Sequence, residues 1–91
     1  MLQIELSEKA ESDLDAIHEY YAPLVGFQRA DAVLAEIFAS IEQLETFPGM
    51  GCSAQNPDVR ELVLDRYPFA VSYIVKRKIV YIARILHECC R

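Results

Sequence analysis

Three basic side chains in the C-terminal third of the sequence are the best candidates for a site that binds an anionic ligand: Arg60, Arg84 and His87. Arg84 interrupts an otherwise apolar strand segment, where a charge must face solvent or a partner. Histidine titrates at about pH 6.5, which suits proton transfer, so His87 is a candidate general acid or base. A structural role is the alternative: Arg84 could pair with an acid such as Glu61 or point to water, and His87 could be a surface residue.

The distribution of charge divides the chain into two parts. Residues 1–59 carry eleven Asp or Glu and two Lys or Arg, whereas residues 60–91 carry three Asp or Glu and seven Lys or Arg. The formal net charge of −5 argues against non-specific nucleic-acid binding, because such binding relies on neutralising many phosphates. The basic part predicts a sheet whose free face is basic, and an anionic ligand would be expected on that face.

Length and composition set further expectations. A chain of 91 residues with 53% apolar residues predicts one folded domain over residues 1–91. The sequence has neither the pattern of a signal peptide nor an apolar run long enough to span a membrane, so we expect a cytoplasmic protein. Cys52, Cys89 and Cys90 lack the spacing of a zinc site, which predicts spare reduced thiols and no bound metal or cofactor.

Hydrophobic spacing predicts the elements that position these residues. Leu2, Ile4 and Leu6 alternate with polar residues, which indicates a short first strand. Ser7 is a suitable N-cap for a helix after it, because its hydroxyl can accept a backbone N–H of the first turn. The predicted elements are helices over about 8–22 and 27–46, a polar loop over 48–58, and strands over about 59–65, 69–75 and 79–87.

Short connections predict how these elements pack. The brief link between the helices favours an antiparallel helical hairpin, and the turns Arg66-Tyr67-Pro68 and Lys76-Arg77-Lys78 favour an antiparallel strand meander. We interpret Lys76-Arg77-Lys78 as a solvated turn. The predicted fold is α+β with the order β-α-α-β-β-β, an antiparallel sheet and an N-terminal helical hairpin on one of its faces. The predicted core contains Leu14, Ile17, Leu34, Ile37, Ile41, Leu44, Val71, Tyr73 and Ile82.

Several short patterns, taken in order, are similar to one protein family over essentially the whole chain. They are Ala10-x-x-x-Leu14-x-x-Ile17-x-x-Tyr20, Ile37-x-x-x-Ile41-x-x-Leu44-x-x-x-Pro48-x-x-Gly51, Val59-Arg60-Glu61-Leu62, Tyr67-Pro68 followed by Val71-x-Tyr73, and Ile82-x-Arg84-Ile85-Leu86-His87. The chain resembles the toxins of bacterial type II toxin–antitoxin systems, in the superfamily of RelE-like and ParE-like proteins, also called plasmid stabilisation proteins. The resemblance implies the α+β toxin fold.

The two branches of that superfamily differ in their targets. RelE-like toxins cleave mRNA on the ribosome with a cluster of basic residues, whereas ParE-like toxins lack the cluster and inhibit DNA gyrase. The ribonuclease branch often has Tyr-Arg-aliphatic-x-Tyr in the third strand, where this chain has Phe69-Ala70-Val71-Ser72-Tyr73, and the loop 48–58 contains no Lys or Arg. Because losing one phosphate-directed charge typically lowers catalysis by about 10² or more, these differences favour the ParE-like branch.

The resemblance also implies partners and their contact residues. We expect a cognate antitoxin and DNA gyrase as partners, no cofactor, and no enzymatic activity. An acidic antitoxin segment would be attracted to the basic residues, so the predicted partner-binding residues are Arg60, Arg66, Arg84 and His87. The alternative is a ribosome-dependent mRNA endonuclease, with His87 as the acid or base and Arg60 and Arg84 holding phosphate. A degenerate member that keeps only antitoxin binding is the third hypothesis, and a homodimer is left open.

Overall fold

The computed structural model describes residues 2–53 and 58–87 and contains two helices and one five-stranded sheet. The elements follow the predicted order, with one additional short strand after the second helix. They are β1 (Gln3–Leu6), α1 (Glu8–Val25), α2 (Phe27–Gln43), β2 (Cys52–Ser53), β3 (Arg60–Val63), β4 (Phe69–Lys76) and β5 (Ile79–His87).

Helix α1 begins where the sequence predicts and ends three residues later than predicted. The hydroxyl of Ser7 accepts a 3.0 Å hydrogen bond from the backbone N–H of Ala10, which confirms Ser7 as the N-cap. Pro23 lies in the last turn, where its missing N–H removes one helical hydrogen bond without ending the helix. The break falls instead at Gly26, whose φ of 91° ends α1 and starts α2.

Helix α2 ends earlier than predicted, at Gln43, because its last turn tightens. The backbone N–H groups of Leu44, Glu45 and Thr46 each donate to a carbonyl three residues back, which is 3₁₀-type bonding. Across the hairpin, His18 of α1 hydrogen-bonds to the carboxylate of Asp31 of α2 at 2.9 Å. In the part of the chain that the structure describes, neither helix is long and apolar enough to cross a membrane.

The strands are ordered β1-β5-β4-β3-β2. The pairs β2–β3, β3–β4 and β4–β5 are antiparallel as predicted, but β1 pairs with β5 in parallel, so the sheet is mixed. The reason is topological. The two helices run in opposite directions, and β2, β3, β4 and β5 then alternate in direction, so β5 runs in the same direction as β1. Strand β1 lies at the edge of the sheet beside β5. Strand β2 has only two residues, too few for an alternating pattern.

The helical hairpin covers one face of the sheet, and the core lies between these two layers. Every residue of the predicted core is buried except Leu34, which is half-buried and packs against the core. The fully covered residues Ile37, Ile41 and Leu44 of the α2 segment contact the same cluster as Val71 and Tyr73 of β4. The predicted fold class is therefore confirmed.

The outer face of the sheet is not basic, which corrects the prediction from charge. Side chains alternate along a strand and cross-strand partners share a face, so the partners of the buried residues lie towards the helices and the others lie outside. By this register, and among the described residues, the outer-face positions are Gln3, Glu5, Cys52, Glu61, Val63, Ala70, Ser72, Ile74, Lys76, Ile79, Tyr81, Arg84 and Leu86. The two cations on this face, Lys76 and Arg84, are matched in number by two acids, Glu5 and Glu61. Most bases of the C-terminal part lie instead in turns or at strand ends.

Candidate functional site

The first predicted site residue, Arg84, is engaged in an ion pair with helix α1. Its Nε and one terminal nitrogen donate to the two carboxylate oxygens of Asp13 at 2.8 and 2.9 Å. The Asp13 side chain is 16% exposed and that of Arg84 is 41% exposed. Such a bidentate pair is geometrically specific, and it uses the arginine edge that would otherwise hold a phosphate. The expected partner of Arg84, Glu61, is not the one it has.

Asp13 also replaces a missing strand at the open edge of β5. Strand β1 pairs with β5 only as far as Ile82, so the edge beyond it has no strand partner. The hydroxyl of Ser7 donates to the carbonyl of Ala83 at 2.7 Å, and the N–H of Ile85 donates to Asp13 at 3.0 Å. The start of α1 therefore covers this edge with side chains. Helical periodicity puts Asp13 and the other acids of α1 outside the apolar stripe, which predicts a solvated position, and for Asp13 this prediction is wrong.

The ion pair makes part of the stability depend on pH. The hydrogen bond from Arg84 holds the pKa of Asp13 below its usual value near 4, while burial acts in the opposite direction. A lowered folded-state pKa stabilises the fold above the unfolded-state pKa, and this contribution is lost as pH falls through the folded-state value. We therefore expect Asp13→Asn to destabilise the protein at pH 7 and the difference from wild type to shrink below about pH 4.

Urea denaturation of both proteins between pH 7 and the acid limit of folding measures this difference. Asp15→Asn is the matched control, because Asp15 is exposed on the same helix and has no ion pair with another described residue. A pH-independent difference for Asp13→Asn, or an equal effect of Asp15→Asn, would refute the role of the charge.

The second predicted site residue, Arg60, is bound to the loop that follows α2. Its terminal nitrogen donates to the carbonyl of Gly51 at 2.8 Å and more weakly to that of Gly49 at 3.4 Å. Arg60 pairs with Tyr73 across β3 and β4, so both side chains lie on the helix side of the sheet. Arg84 lies two strands away on β5, where Asp13 of α1 holds its guanidinium at the strand edge. The two arginines thus do not form one site.

Tyr73 fixes the same loop from beneath, a role that the sequence did not reveal. Its buried hydroxyl donates to the carbonyl of Pro48 at 2.7 Å and accepts from the N–H of Gly51 at 3.0 Å. A Cβ atom at Gly51 would lie 2.6 Å from that hydroxyl, so the position requires glycine. The pattern Pro48-x-x-Gly51 was the available signal for this arrangement, together with a tyrosine in the core.

The remaining predicted residues are His87 and Arg66. His87 is at the end of β5, where its ring packs edge-on against Phe69 at 5.4 Å between centroids. It lines a groove of about 410 Å³ between α1 and the end of β5, together with Asp13, Ala16, Ile17, Tyr20, Tyr21, Phe69, Ile85 and Leu86. Arg66 is exposed between β3 and β4. The four predicted residues therefore do not form one cluster, although Asp13, the partner of Arg84, lines the same groove as His87.

The described cysteine, histidine and acidic side chains do not form a metal site. Within residues 2–53 and 58–87, no three side chains of His, Cys, Asp or Glu converge as metal ligands. Cys52 is an exposed free thiol in β2, and the predictions for Cys89 and Cys90 fall outside the described residues.

Comparison with known proteins decides the family. The sequence model of the family described as "ParE toxin of type II toxin-antitoxin system, parDE" matches residues 4–88. The chain belongs to this ParE toxin family. Membership implies an antitoxin partner, because the family is defined as one component of a toxin–antitoxin system. The predicted resemblance to the RelE and ParE superfamily is thereby confirmed.

Solved structures agree with the ParE assignment. A chain in the structure "Chromosomal ParDE TA system from P. aeruginosa" is 34% identical, with a TM-score of 0.88 and 96% of each chain covered. A conserved hypothetical protein from Helicobacter pylori, HP0894, is 22% identical with a TM-score of 0.56, covering 93% of this chain and 92% of its own; this similarity concerns the fold alone. No curated protein sequence matches the chain significantly.

Proposed function

We propose that this ParE-family protein is a toxin that acts in the cytoplasm by binding DNA gyrase and is neutralised by a cognate antitoxin. The observation that carries the proposal is that both arginines expected at a phosphate site are held by acceptors within the protein. Arg84 is paired with Asp13, and Arg60 is bound to loop carbonyls. Among the described residues these arginines do not converge on a phosphate, which favours action by binding a target over mRNA cleavage.

Three further features argue against mRNA cleavage. Arg60 lies on β3 and Arg84 on β5 with β4 between them, and each is bound to a different group within the protein, so they do not converge on one phosphate. Ala70 stands where the ribonuclease branch often has arginine, and it lies on the outer face, nearly covered by its neighbours. The loop from Pro48 to Asp58 offers no cation. Such catalysis depends mainly on electrostatic stabilisation of the transferring phosphate, and within the described residues neither Arg60 nor Arg84 is free to supply it.

The groove beside His87 is the surface that we propose for the antitoxin. Its walls are mostly apolar and aromatic, and Tyr20 in its lining is 64% exposed. Exposed apolar surface of this kind typically marks a protein interface. The main-chain edge of β5 beside the groove is already capped by Ser7 and Asp13, so an antitoxin segment would dock there chiefly through side-chain contacts. Co-expression with the adjacent short gene, followed by pull-down at low and moderate salt, tests the pairing.

Induction of the chain in cells without antitoxin distinguishes the proposed target from the alternative. We expect the DNA-damage response and filamentation, and inhibition of supercoiling by gyrase when the purified protein is added. His87→Ala should leave toxicity nearly intact, because a binding toxin needs no proton transfer. The measurements are reporter induction, cell length and a supercoiling assay on both proteins.

Other outcomes would contradict the proposal. Primer extension that maps codon-positioned cuts in mRNA, reduced about 10²–10⁴-fold in His87→Ala, would identify a ribosome-dependent endonuclease. Soluble folded protein that causes no growth defect, yet still co-purifies with antitoxin, would identify a degenerate member.

A further inference from the structure

The turn between β4 and β5 holds two consecutive residues in a backbone conformation that residues other than glycine and asparagine rarely adopt. The φ angles are 49° at Arg77 and 70° at Lys78. Two successive positive φ values define a type I′ turn, which fits the pairing of Lys76 with Ile79 on either side. Such turns strongly prefer Asn-Gly. The sequence Arg-Lys at this position is therefore unfavourable for the turn itself.

The charged groups of this turn are not used to stabilise the fold. Lys76, Arg77 and Lys78 are all exposed, and none of their charged groups forms an ion pair or side-chain hydrogen bond with another described residue. The turn is held through its backbone, since the carbonyl of Lys78 accepts a 3.0 Å hydrogen bond from the N–H of Gln3. An unfavourable backbone that presents three unpaired cations indicates a use for those side chains outside the chain.

We propose that the turn Lys76-Arg77-Lys78 is a contact site for an acidic segment of the antitoxin, an inference that rests on the proposed function. The sequence had assigned this electrostatic contact to Arg60, Arg66 and Arg84, but Arg60 and Arg84 are engaged internally. The turn is a run of three cations that remains available. It lies at the end of the sheet where β1 starts, whereas the groove lies where β5 ends, so one antitoxin chain would contact both ends of β5.

The charge of the whole chain favours an acidic protein segment over nucleic acid. A net charge of −5 repels a polyanion of high charge density, and three cations neutralise few phosphates. A few carboxylates placed opposite the turn can instead form local ion pairs with limited repulsion. Contacts of this kind chiefly raise the association rate and make binding sensitive to salt.

The double variant Arg77→Asn/Lys78→Gly separates a binding role from a structural one. It installs the preferred type I′ sequence, so the variant should fold and unfold at an equal or higher urea concentration. We expect its dissociation constant for the protein encoded by the adjacent short gene to rise about tenfold at low salt, the size expected for two exposed ion pairs. The dependence of affinity on salt should also become weaker. Surface plasmon resonance from low to moderate salt measures both quantities.

Arg29→Asp is the matched control, because it changes the net charge by the same two units at one exposed position on α2, away from the groove and the turn. We expect its affinity to stay within about twofold of wild type. An equal loss of affinity in the control would show that the effect comes from net charge alone and would overturn the proposal. A turn variant that binds the antitoxin as tightly as wild type would also overturn it. Turn-dependent binding of a 20-base-pair DNA duplex, without turn-dependent antitoxin binding, would assign the turn to nucleic acid instead. Absence of a wild-type complex would overturn the proposed function and this inference together.

Discussion

Replacing Ile37 by Ala is expected to lower the free energy of unfolding by about 2–5 kcal/mol. Ile37 is 0% exposed and lies in the middle of α2, between the hairpin and the sheet. Truncation removes buried apolar surface and leaves a cavity that the surrounding strands can fill only partly. Because small domains are stable by only about 5–15 kcal/mol, this loss is a large fraction of the total.

Equilibrium urea denaturation of wild type and variant measures the effect, with equal slopes as evidence that the unfolding reaction is the same. Leu24→Ala is the control, since Leu24 is 65% exposed near the hairpin tip and should change stability by less than about 0.5 kcal/mol. Ile41→Ala should resemble Ile37→Ala, because Ile41 is 2% exposed in the same core. Similar stabilities for Ile37→Ala and Leu24→Ala would contradict the assignment of this helix face to the core.

Local sequence patterns were sufficient to predict the layers of this fold. The apolar stripe through Ile37 and Ile41 and the alternation around Val71 each identify a buried face, because periodicity follows directly from helix and strand geometry. The N-cap at Ser7 was equally local. The ends of the helices are set by backbone hydrogen bonds that spacing does not show. Pro23 predicts the end of α1, yet the last turn of the helix tolerates it.

Contacts between distant parts of the chain could not be predicted in the same way. Asp13 is a charged residue beside the apolar stripe of α1, so periodicity alone predicts that it is solvated, yet it lies next to the open edge of β5 and binds Arg84, 71 positions away. Nothing in the spacing of either segment specifies this pair. The parallel pairing of β1 with β5 has the same origin, since alternation identifies a strand without identifying its partner.

The largest effect expected in the loop after α2 is that of Gly51→Ala. The added methyl group would lie 2.6 Å from the hydroxyl of Tyr73 and 2.8 Å from the backbone carbonyl of Glu61. Tyr73 cannot retreat, because it is 0% exposed and its hydroxyl is bonded to Pro48. The loop must therefore move away, which combines overpacking with the loss of buried hydrogen bonds, and we expect a cost of about 3 kcal/mol or more.

Gly49→Ala provides a control two residues away, because a Cβ atom there would meet nothing within 4 Å. It should change stability by less than about 0.5 kcal/mol in the same urea experiment. Equal stabilities of the two alanine variants would show that the loop is not fixed on Tyr73. A large loss of stability in Gly51→Ala alone would show that the contacts of this residue with Tyr73 and Glu61 leave no room for a side chain.

A double-mutant cycle with Tyr73→Phe identifies which contact causes that loss. Tyr73→Phe alone should cost about 1–3 kcal/mol, since it leaves the N–H of Gly51 and the carbonyl of Pro48 without their partner. Combined with Gly51→Ala, it removes the atom nearest to the new methyl group, so the double variant should lose less than the two single losses added together. The rescue should be partial, because the carbonyl of Glu61 and the tyrosine ring stay within 3 Å of the methyl position. If the two single losses simply add, the steric conflict of the new methyl group is with the carbonyl of Glu61. The loop would then be fixed by the backbone of β3 and not by the tyrosine hydroxyl.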